Sequence, residues 1–487
     1  MGKAIGSQFF IKNFFVLGIG SFIYLLLGLI GTPVITRLVD PAEYGYMSMF
    51  TVYSNIGLMF CGLGMDQTLV RYFYHRDDLD YKRTILFECL SFPVVLCVVL
   101  SVLIIPVAFI ADGLRINSRP TAEWILLDIN VFVLLIHRYA ILLMRLRYHT
   151  KQYSIINIIQ KTAYLVITVL LVVLLQDHYF YILAASTILS TAIATICAVV
   201  LEKEVWNFRV LDREVWLPQK ELLSYSVPIM FSSGVTMIFN ALDKLFLNHF
   251  CTLTDVGVYT SAMNLMAVFT IIRTTFNALW MPTAVEHYEK NPEDKTFYER
   301  GNAFIVFLMI SFGAVVILCK DLFVMLLGHN YQEASQIIPF LMFEPIMYTI
   351  SETTATGIVV QKKSQYQLIV AGVSCITNFG GNWILTPIMG ARGAALSTGF
   401  SYFVFFIART LLANKVFFVN YNLNRFILVS VSLFLFAYYG STHYLSKVQV
   451  FMCIGILLLL ALNYFSYFSV ALQYFINLLK TKKYKEI

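Results

Sequence analysis

Residues 89–111 read CLSFPVVLCVVLSVLIIPVAFIA and contain no Asp, Glu, Lys or Arg. A helix of this length rises about 35 Å at about 1.5 Å per residue, which is enough to cross a hydrocarbon core of roughly 30 Å. Similar uncharged runs recur along the chain, at 44–65, 179–201, 222–242 and 364–391. Together they predict a polytopic, all-α membrane protein.

The composition supports the same class. The chain has 487 residues, of which 59% are hydrophobic and 13% charged, whereas a soluble domain carries about 25% charged residues. This excludes an ordinary soluble enzyme and a disordered chain. The eight cysteines include no CxxC pair, so neither a disulfide framework nor a metal site is expected.

The uncharged and nearly uncharged runs divide the chain into fourteen candidate spans. The first run is too long for the apolar part of a cleavable signal peptide, and we interpret it as a span. The approximate bounds are 13–37, 43–66, 84–111, 122–145, 154–176, 178–201, 220–248, 254–282, 301–328, 335–360, 364–388, 391–414, 424–442 and 449–477.

The positions of the basic residues indicate an orientation. Of the 35 Lys and Arg residues, 25 lie in segments on the same side as the N-terminus, five on the other side and five within spans. Basic residues of short loops are retained in the cytoplasm. We therefore expect both termini to be cytoplasmic. The net charge of +7 follows from this topology, and we expect no nucleic-acid partner.

Two short matches suggest an internal repeat. Residues 43–45 (EYG) and 255–257 (DVG) are 212 residues apart, and residues 184–187 (AAST) and 394–398 (AALST) are 210 apart. Parallel repeats of six helices characterise one class of secondary transporter, which binds its substrate between the two lobes. The corresponding divisions are an N-terminal lobe at 1–205, a cytoplasmic linker at 206–219, a C-terminal lobe at 220–416, two extra spans at 424–478 and a basic tail at 479–487.

Charged residues within spans usually face a cavity or a partner. In the eighth span, Arg273, Asn277 and Trp280 share one helical face. A fixed cation suits a phosphate, and an amide and an indole beside it suit a sugar. The alternative is that Arg273 pairs with a carboxylate between helices.

Other spans contribute further candidates. Arg138 in the fourth span and Lys161 in the fifth are additional cations for a phosphate, although Lys161 could instead extend to the interface. Tyr164, Asn240 and Asn378 are candidates for a sugar path. Asn378 could equally form a hydrogen bond between helices.

Acidic residues form a second group. Asp243 and Lys244 are adjacent in the seventh span and point about 100° apart, so we do not assume that they pair. Glu344 and Glu352 share one face of the tenth span. These four residues are candidates for coupling transport to a proton or a sodium ion, or for balancing a charge such as Arg273.

No nucleotide-binding or metalloprotease motif is present in the sequence. Energy would therefore come from an ion gradient, the membrane potential or the substrate gradient. No connection is long enough for a catalytic domain, and the largest outside one is about 112–121. We expect a transporter without catalytic activity, metal or cofactor.

Several short segments carry a family resemblance through their order and spacing. They are LVDPAEYG at 38–45, LGMDQ at 63–67, VRYF at 70–73, SVP at 226–228, LDKLFL at 242–247, DVGVY at 255–259, GHNY at 328–331 and GARGAA at 390–395. In this order, across about 40–400, the chain resembles the Wzx-type flippases of O-antigen, capsule and exopolysaccharide pathways. Their superfamily also contains multidrug and toxin extruders and the lipid II flippase.

The resemblance implies a multi-pass protein of the bacterial inner membrane, with two six-helix lobes related by a pseudo-twofold around a central cavity. It implies movement of undecaprenyl-pyrophosphate-linked oligosaccharides to the outer leaflet by alternating access. The implied partners are this lipid-linked glycan, membrane lipid and other glycan-assembly membrane proteins. The family's cationic cavity agrees with Arg138, Lys161 and Arg273.

Two other functions remain open from the sequence. An ion-coupled exporter of organic cations would use acidic cavity walls, which Asp128, Glu344 and Glu352 permit but the basic spans oppose. A membrane-bound glycosyl polymerase or ligase would carry a long external loop, which the predicted topology lacks.

Overall fold

The computed structural model describes residues 7–113, 120–209, 211 and 218–464. These residues form helices and turns, and no β-strand occurs among them. The helices are α1 (Ser7–Leu38), α2 (Pro41–Gly62), α3 (Met65–Tyr72), α4 (Leu79–Gly113), α5 (Thr121–Leu146), α6 (Thr150–Leu175), α7 (Tyr179–Leu201), α8 (Gln219–Phe250), α9 (Leu253–Met266), α10 (Thr270–Lys290), α11 (Thr296–Leu318), α12 (Lys320–Val324), α13 (Ala334–Leu341), α14 (Phe343–Thr354), α15 (Thr356–Val360), α16 (Gln365–Val416), α17 (Leu423–Gly440) and α18 (Lys447–Tyr464).

The helices confirm the predicted all-α membrane fold. Within the described residues, 11 helical stretches are long and apolar enough to cross a bilayer, or up to 12 if the bent pair α2 and α3 forms one span. Apolar runs of this length fold as helices in the bilayer because a helix satisfies the hydrogen bonds of its own backbone, and the hydrocarbon offers no other partners.

The count of fourteen spans is not confirmed. Helix α16 is 52 residues long and covers two predicted spans, with a bend at Gly390, where φ is 59°. The predicted span 335–360 is divided among the short helices α13, α14 and α15. The end of the predicted span 449–477 and the tail 479–487 lie outside the described residues.

The chain divides into two compact units. Unit 1 comprises residues 1–39 and 43–241, and unit 2 comprises 40–42 and 242–487. The division therefore falls within α8, whereas the sequence suggests the segment 206–219. The start of α8 belongs to unit 1 because it bonds to α3: the Thr68 hydroxyl lies 3.4 Å from the Leu222 carbonyl oxygen.

Unit 1 brings α1 and α6 into close contact. A Cβ atom at Gly20 would lie 2.4 Å from Ser154 Cβ, and one at Gly31 would lie 2.7 Å from Leu165 Cδ2. Small residues permit such close approach of membrane helices. The contact positions Lys161 of α6 beside α1.

In unit 2, α14 packs against α10, α11 and α16. All of its residues are buried except Glu344 and Tyr348. These two residues are one turn apart, so they mark the partly open side of an otherwise enclosed helix.

Candidate functional site

The turn between α2 and α3 positions two polar side chains in unit 1. Gly64 has a φ of 72°, and the two helices meet at 54°. A Cβ at Gly64 would lie 2.7 Å from the Ser226 carbonyl oxygen, so both the conformation and the space require glycine. Asp66 and Gln67 follow in the first turn of α3.

Arg138 of α5 pairs with Asp66. Its Nε and Nη2 atoms donate to Asp66 Oδ2 at 3.0 and 2.8 Å, and Gln67 Nε2 donates to the same oxygen at 2.8 Å. The Asp66 side chain is 9% exposed, whereas that of Arg138 is 48% exposed. A guanidinium has five N–H groups, and Asp66 accepts bonds from only two of its nitrogens. Arg138 therefore keeps N–H groups that can bind a second acceptor.

A cavity of about 260 Å³ lies beside this pair, and all of its lining residues belong to unit 1. The polar residues of the lining are Asn55, Asp66, Gln67, Arg138, Tyr139 and Ser233. Leucine and methionine side chains form much of the remaining wall. At about 30 Å³ per water, the cavity has room for several waters or a small polar group.

Lys161 has a different environment. Its Nζ lies 5.5 Å from the centre of the Tyr164 ring and 5.8 Å from that of Tyr24. In the part of the chain that the structure describes, no carboxylate pairs with Lys161. Tyrosine faces attract a cation by about 0.5–2 kcal/mol, so Lys161 remains able to meet an anion.

In unit 2, Asp243 is 6% exposed and surrounded by neutral donors. Its Oδ2 accepts hydrogen bonds from the Tyr259 hydroxyl and from Thr398 Oγ1, the latter at 2.6 Å. Its Oδ1 accepts from the side-chain amides of Asn382 and Asn378 at 2.7 and 3.3 Å. We call these five residues the Asp243 cluster.

The Asp243 cluster contains no fixed cation among the described residues. The adjacent Lys244 makes no ion pair with Asp243, as expected for neighbouring positions on a helix. Carboxylate, amide and hydroxyl oxygens are ligands for hard cations. Asn378, a candidate for the sugar path, is 1% exposed and belongs to this cluster instead.

Arg273 of α10 contacts α14. Its NH1 lies 3.8 Å from Glu344 Oε1, too far for a hydrogen bond, and its guanidinium carbon lies 4.3 Å from the centre of the Tyr348 ring. Arg273 makes no hydrogen bond within the described residues, and its side chain is 28% exposed. The sequence left open that Arg273 pairs with a carboxylate. The structure shows such a pair with Glu344, but the contact is too long for a hydrogen bond.

Glu352 is held by Arg409 of α16. Arg409 NH1 donates at 2.9 Å to both Glu352 Oε1 and Ser351 Oγ, and the two charged side chains are 6% and 3% exposed. Glu352 thus balances a charge. Tyr402 and Phe406 are buried on the same face of α16, and this spacing could have indicated that Arg409 is buried as well.

The remaining sugar-path candidates have different local surroundings. The Trp280 ring is stacked against Phe276 and Phe297, with centroids 5.7 and 5.5 Å away. These aromatic contacts make it a packing residue in this structure. Asn277 is half-buried and Asn240 is exposed, and neither has a hydrogen bond within the described residues.

Comparison with known proteins defines the family. The sequence profile of the polysaccharide biosynthesis proteins matches residues 10–287, which is more than half of the chain. The chain belongs to this family. An uncharacterized membrane protein of Methanocaldococcus jannaschii is 20% identical over 379 residues, which are 74% of this chain and 75% of that protein.

Several solved structures have the same fold as this chain. The lipid II flippase MurJ, in an inward closed conformation, has a TM-score of 0.66 and 13% identity, covering 92% of this chain and 98% of its own. An inward-facing multidrug resistance MATE transporter of the MOP superfamily has a TM-score of 0.58 and 13% identity, covering 81% and 94%. Family, fold and candidate spans together confirm a multi-pass membrane protein of the polysaccharide biosynthesis family.

Proposed function

We propose that this protein is a Wzx-type flippase. It moves polyprenyl-pyrophosphate-linked oligosaccharide repeat units of O-antigen, capsule or exopolysaccharide across the bacterial inner membrane, by alternating access and with both termini in the cytoplasm. The family match and the fold shared with a lipid II flippase support this proposal.

The observation that carries the proposal is the state of Arg273. This arginine lies within a membrane helix, yet none of its N–H groups is used in a hydrogen bond among the described residues. Phosphate oxygens accept paired, charge-assisted hydrogen bonds from a guanidinium. In this proposal Arg273 binds one phosphate of the pyrophosphate, and Arg138 and Lys161 supply further positive charge.

The Asp243 cluster is the proposed coupling site. A buried carboxylate is costly unless a proton or a cation neutralises it. With only neutral donors around it, Asp243 suits a mobile partner, either a proton or a sodium ion carried as a transported species. Cation entry on one side and release on the other would bias the alternating-access cycle.

The test is gene deletion in the native host, followed by complementation. Deletion should remove the surface glycan and cause lipid-linked repeat units to accumulate in the membrane. Arg273→Ala should fail to restore the glycan at wild-type abundance. Arg300→Ala, which removes an exposed arginine of the same unit, should restore it. Normal glycan from Arg273→Ala would contradict the assignment, and normal glycan after deletion would contradict the function.

Export of organic cations is less well supported. Such a cavity needs accessible carboxylates, but Asp66 and Glu352 are paired with arginines, and Glu344 faces Arg273. The same deletion strain provides the discriminating measurement. Increased sensitivity to cationic dyes, with an intact surface glycan, would favour this function.

A further inference from the structure

Residues 63–67 (LGMDQ) connect α2 to α3 and form its first turn. The left-handed turn at Gly64 directs α3 so that Asp66 and Gln67 line the unit 1 cavity beside Arg138. The geometry links a segment that carries the family resemblance to a cation that we assign to the substrate.

Arg138 needs a counter-charge when no ligand is present, because an unpaired guanidinium within a membrane helix is costly. Asp66 supplies that charge through one oxygen only, since Oδ2 accepts both Arg138 bonds and the Gln67 bond. Within the described residues, Oδ1 has no hydrogen-bond donor. The contact is therefore one that another oxyanion can reproduce.

We propose that Asp66 is the resting counter-anion of Arg138 and that a phosphate of a prenyl-pyrophosphate ligand takes its place in the cavity. The proposal rests on the proposed function, because it assigns a phosphate to Arg138. Gln67 then donates to a phosphate oxygen, and Asn55 and Ser233 provide further donors. Asp66 is a positioning residue for Arg138 and does not itself bind the substrate.

The wall of the cavity indicates which kind of phosphate fits. Met59, Met230 and Met237 are among its lining residues, together with the polar side chains. Methionine adapts to irregular apolar shapes, so these residues suit the start of an isoprenoid chain. The ligand class is an amphipathic one, with a phosphate head and an apolar tail.

The Asp66 carboxylate also affects how tightly the phosphate is bound. Phosphate and Asp66 carry like charges and compete for one guanidinium, so Asp66 lowers the affinity for the phosphate and favours its release. A transport site must bind strongly enough to load and weakly enough to unload. Without the carboxylate, binding should be tighter and turnover slower.

The test measures binding of geranyl pyrophosphate to the purified full-length protein by calorimetry, with geraniol as the control lacking phosphate. Asp66→Asn should bind about tenfold more tightly than wild type. Asp128→Asn neutralises a half-buried carboxylate of unit 1 that bonds to Ser101, and it should bind like wild type. Equal or weaker binding by Asp66→Asn would overturn the proposal. Asp66→Ser removes the same charge and provides the same comparison if the Asn variant does not fold.

Arg138→Ala separates this proposal from the one on which it rests. If Arg138→Ala binds the probe as well as wild type does, the phosphate assignment of Arg138 fails, and the Asp66 proposal fails with it. If Arg138→Ala loses binding but Asp66→Asn matches wild type, only the role of Asp66 is wrong. Wild-type binding of geraniol as tight as that of geranyl pyrophosphate would exclude a phosphate site.

Discussion

The two units each bury a carboxylate within membrane helices but surround it differently. In unit 1, Asp66 meets the fixed cation Arg138 at 2.8 Å. In unit 2, Asp243 meets two amides and two hydroxyls and has no cation among the described residues. Both side chains are largely shielded from solvent.

The difference indicates which species each unit can exchange. A carboxylate that shares a fixed arginine is replaced by another anion, because the positive charge stays behind. A carboxylate among hydroxyls and amides, with no cation within ion-pair distance among the described residues, leaves room for a mobile positive charge. In our proposal, unit 1 therefore binds a phosphate, and the Asp243 cluster of unit 2 binds the coupling cation.

The largest expected effect comes from Asp243→Asn. Asparagine preserves the volume and keeps an oxygen acceptor but removes the negative charge that attracts a proton or a sodium ion, so flipping should fall about tenfold or more. The dependence on a sodium or proton gradient should disappear as well. Flipping of lipid-linked oligosaccharide in proteoliposomes, with each gradient imposed in turn, measures both.

Glu286→Gln is the control for Asp243→Asn. It makes the same charge change at an exposed, Lys290-paired carboxylate of unit 2 and should leave flipping unchanged. A wild-type gradient response from Asp243→Asn would remove the distinction between the two units.

Arg138→Met tests the opposite environment. It leaves Asp66 buried without its cation, and the free energy of unfolding should fall by about 1–3 kcal/mol. Adding Asp66→Asn should recover much of that loss, because the uncompensated charge is gone. Denaturant unfolding of the purified single and double variants measures the coupling. If the single and double variants have the same unfolding free energy, Arg138 stabilises unit 1 by packing alone.

The sequence predicts the helices of both units better than their polar contacts. Long uncharged runs identify helices because the bilayer imposes length and composition on each span separately. The breaks around α13 to α15 escape this reasoning, since short and long apolar helices have the same composition. By contrast, the predicted spans 364–388 and 391–414 place a break where α16 bends at Gly390.

Contacts between distant residues are harder to predict than spans. Asn378 and Asn382, one turn apart, indicate a polar face, but their partner Asp243 is 135 and 139 residues away. Arg409 lies near the end of the predicted span 391–414, and nothing in that span indicates that it pairs with Glu352. The spacing of side chains along one helix does not predict which other helix packs against it.

Gly64→Ala should have a moderate effect on unit 1. The residue has a positive φ, and a Cβ would approach the Ser226 carbonyl oxygen, so we expect a loss of about 1–2 kcal/mol in unfolding free energy. Gly62→Ala is the matched control, because its nearest neighbour would lie 4.0 Å away. Equal stability of the two variants would mean that α3 does not depend on this turn to present Asp66.

Glu344→Gln should have the smallest effect. The Arg273–Glu344 contact is long and partly exposed, so neutralising the glutamate should change the unfolding free energy by less than about 1 kcal/mol. Tyr348 still covers the guanidinium, which explains why Arg273, unlike Arg138, does not require a hydrogen-bonded counter-anion. Thermal unfolding of this variant beside Glu352→Gln, which breaks a buried pair, provides the measurement. If Glu344→Gln is as unstable as Glu352→Gln, then Arg273 is committed to its carboxylate, and unit 2 would no longer offer a free cation to the substrate.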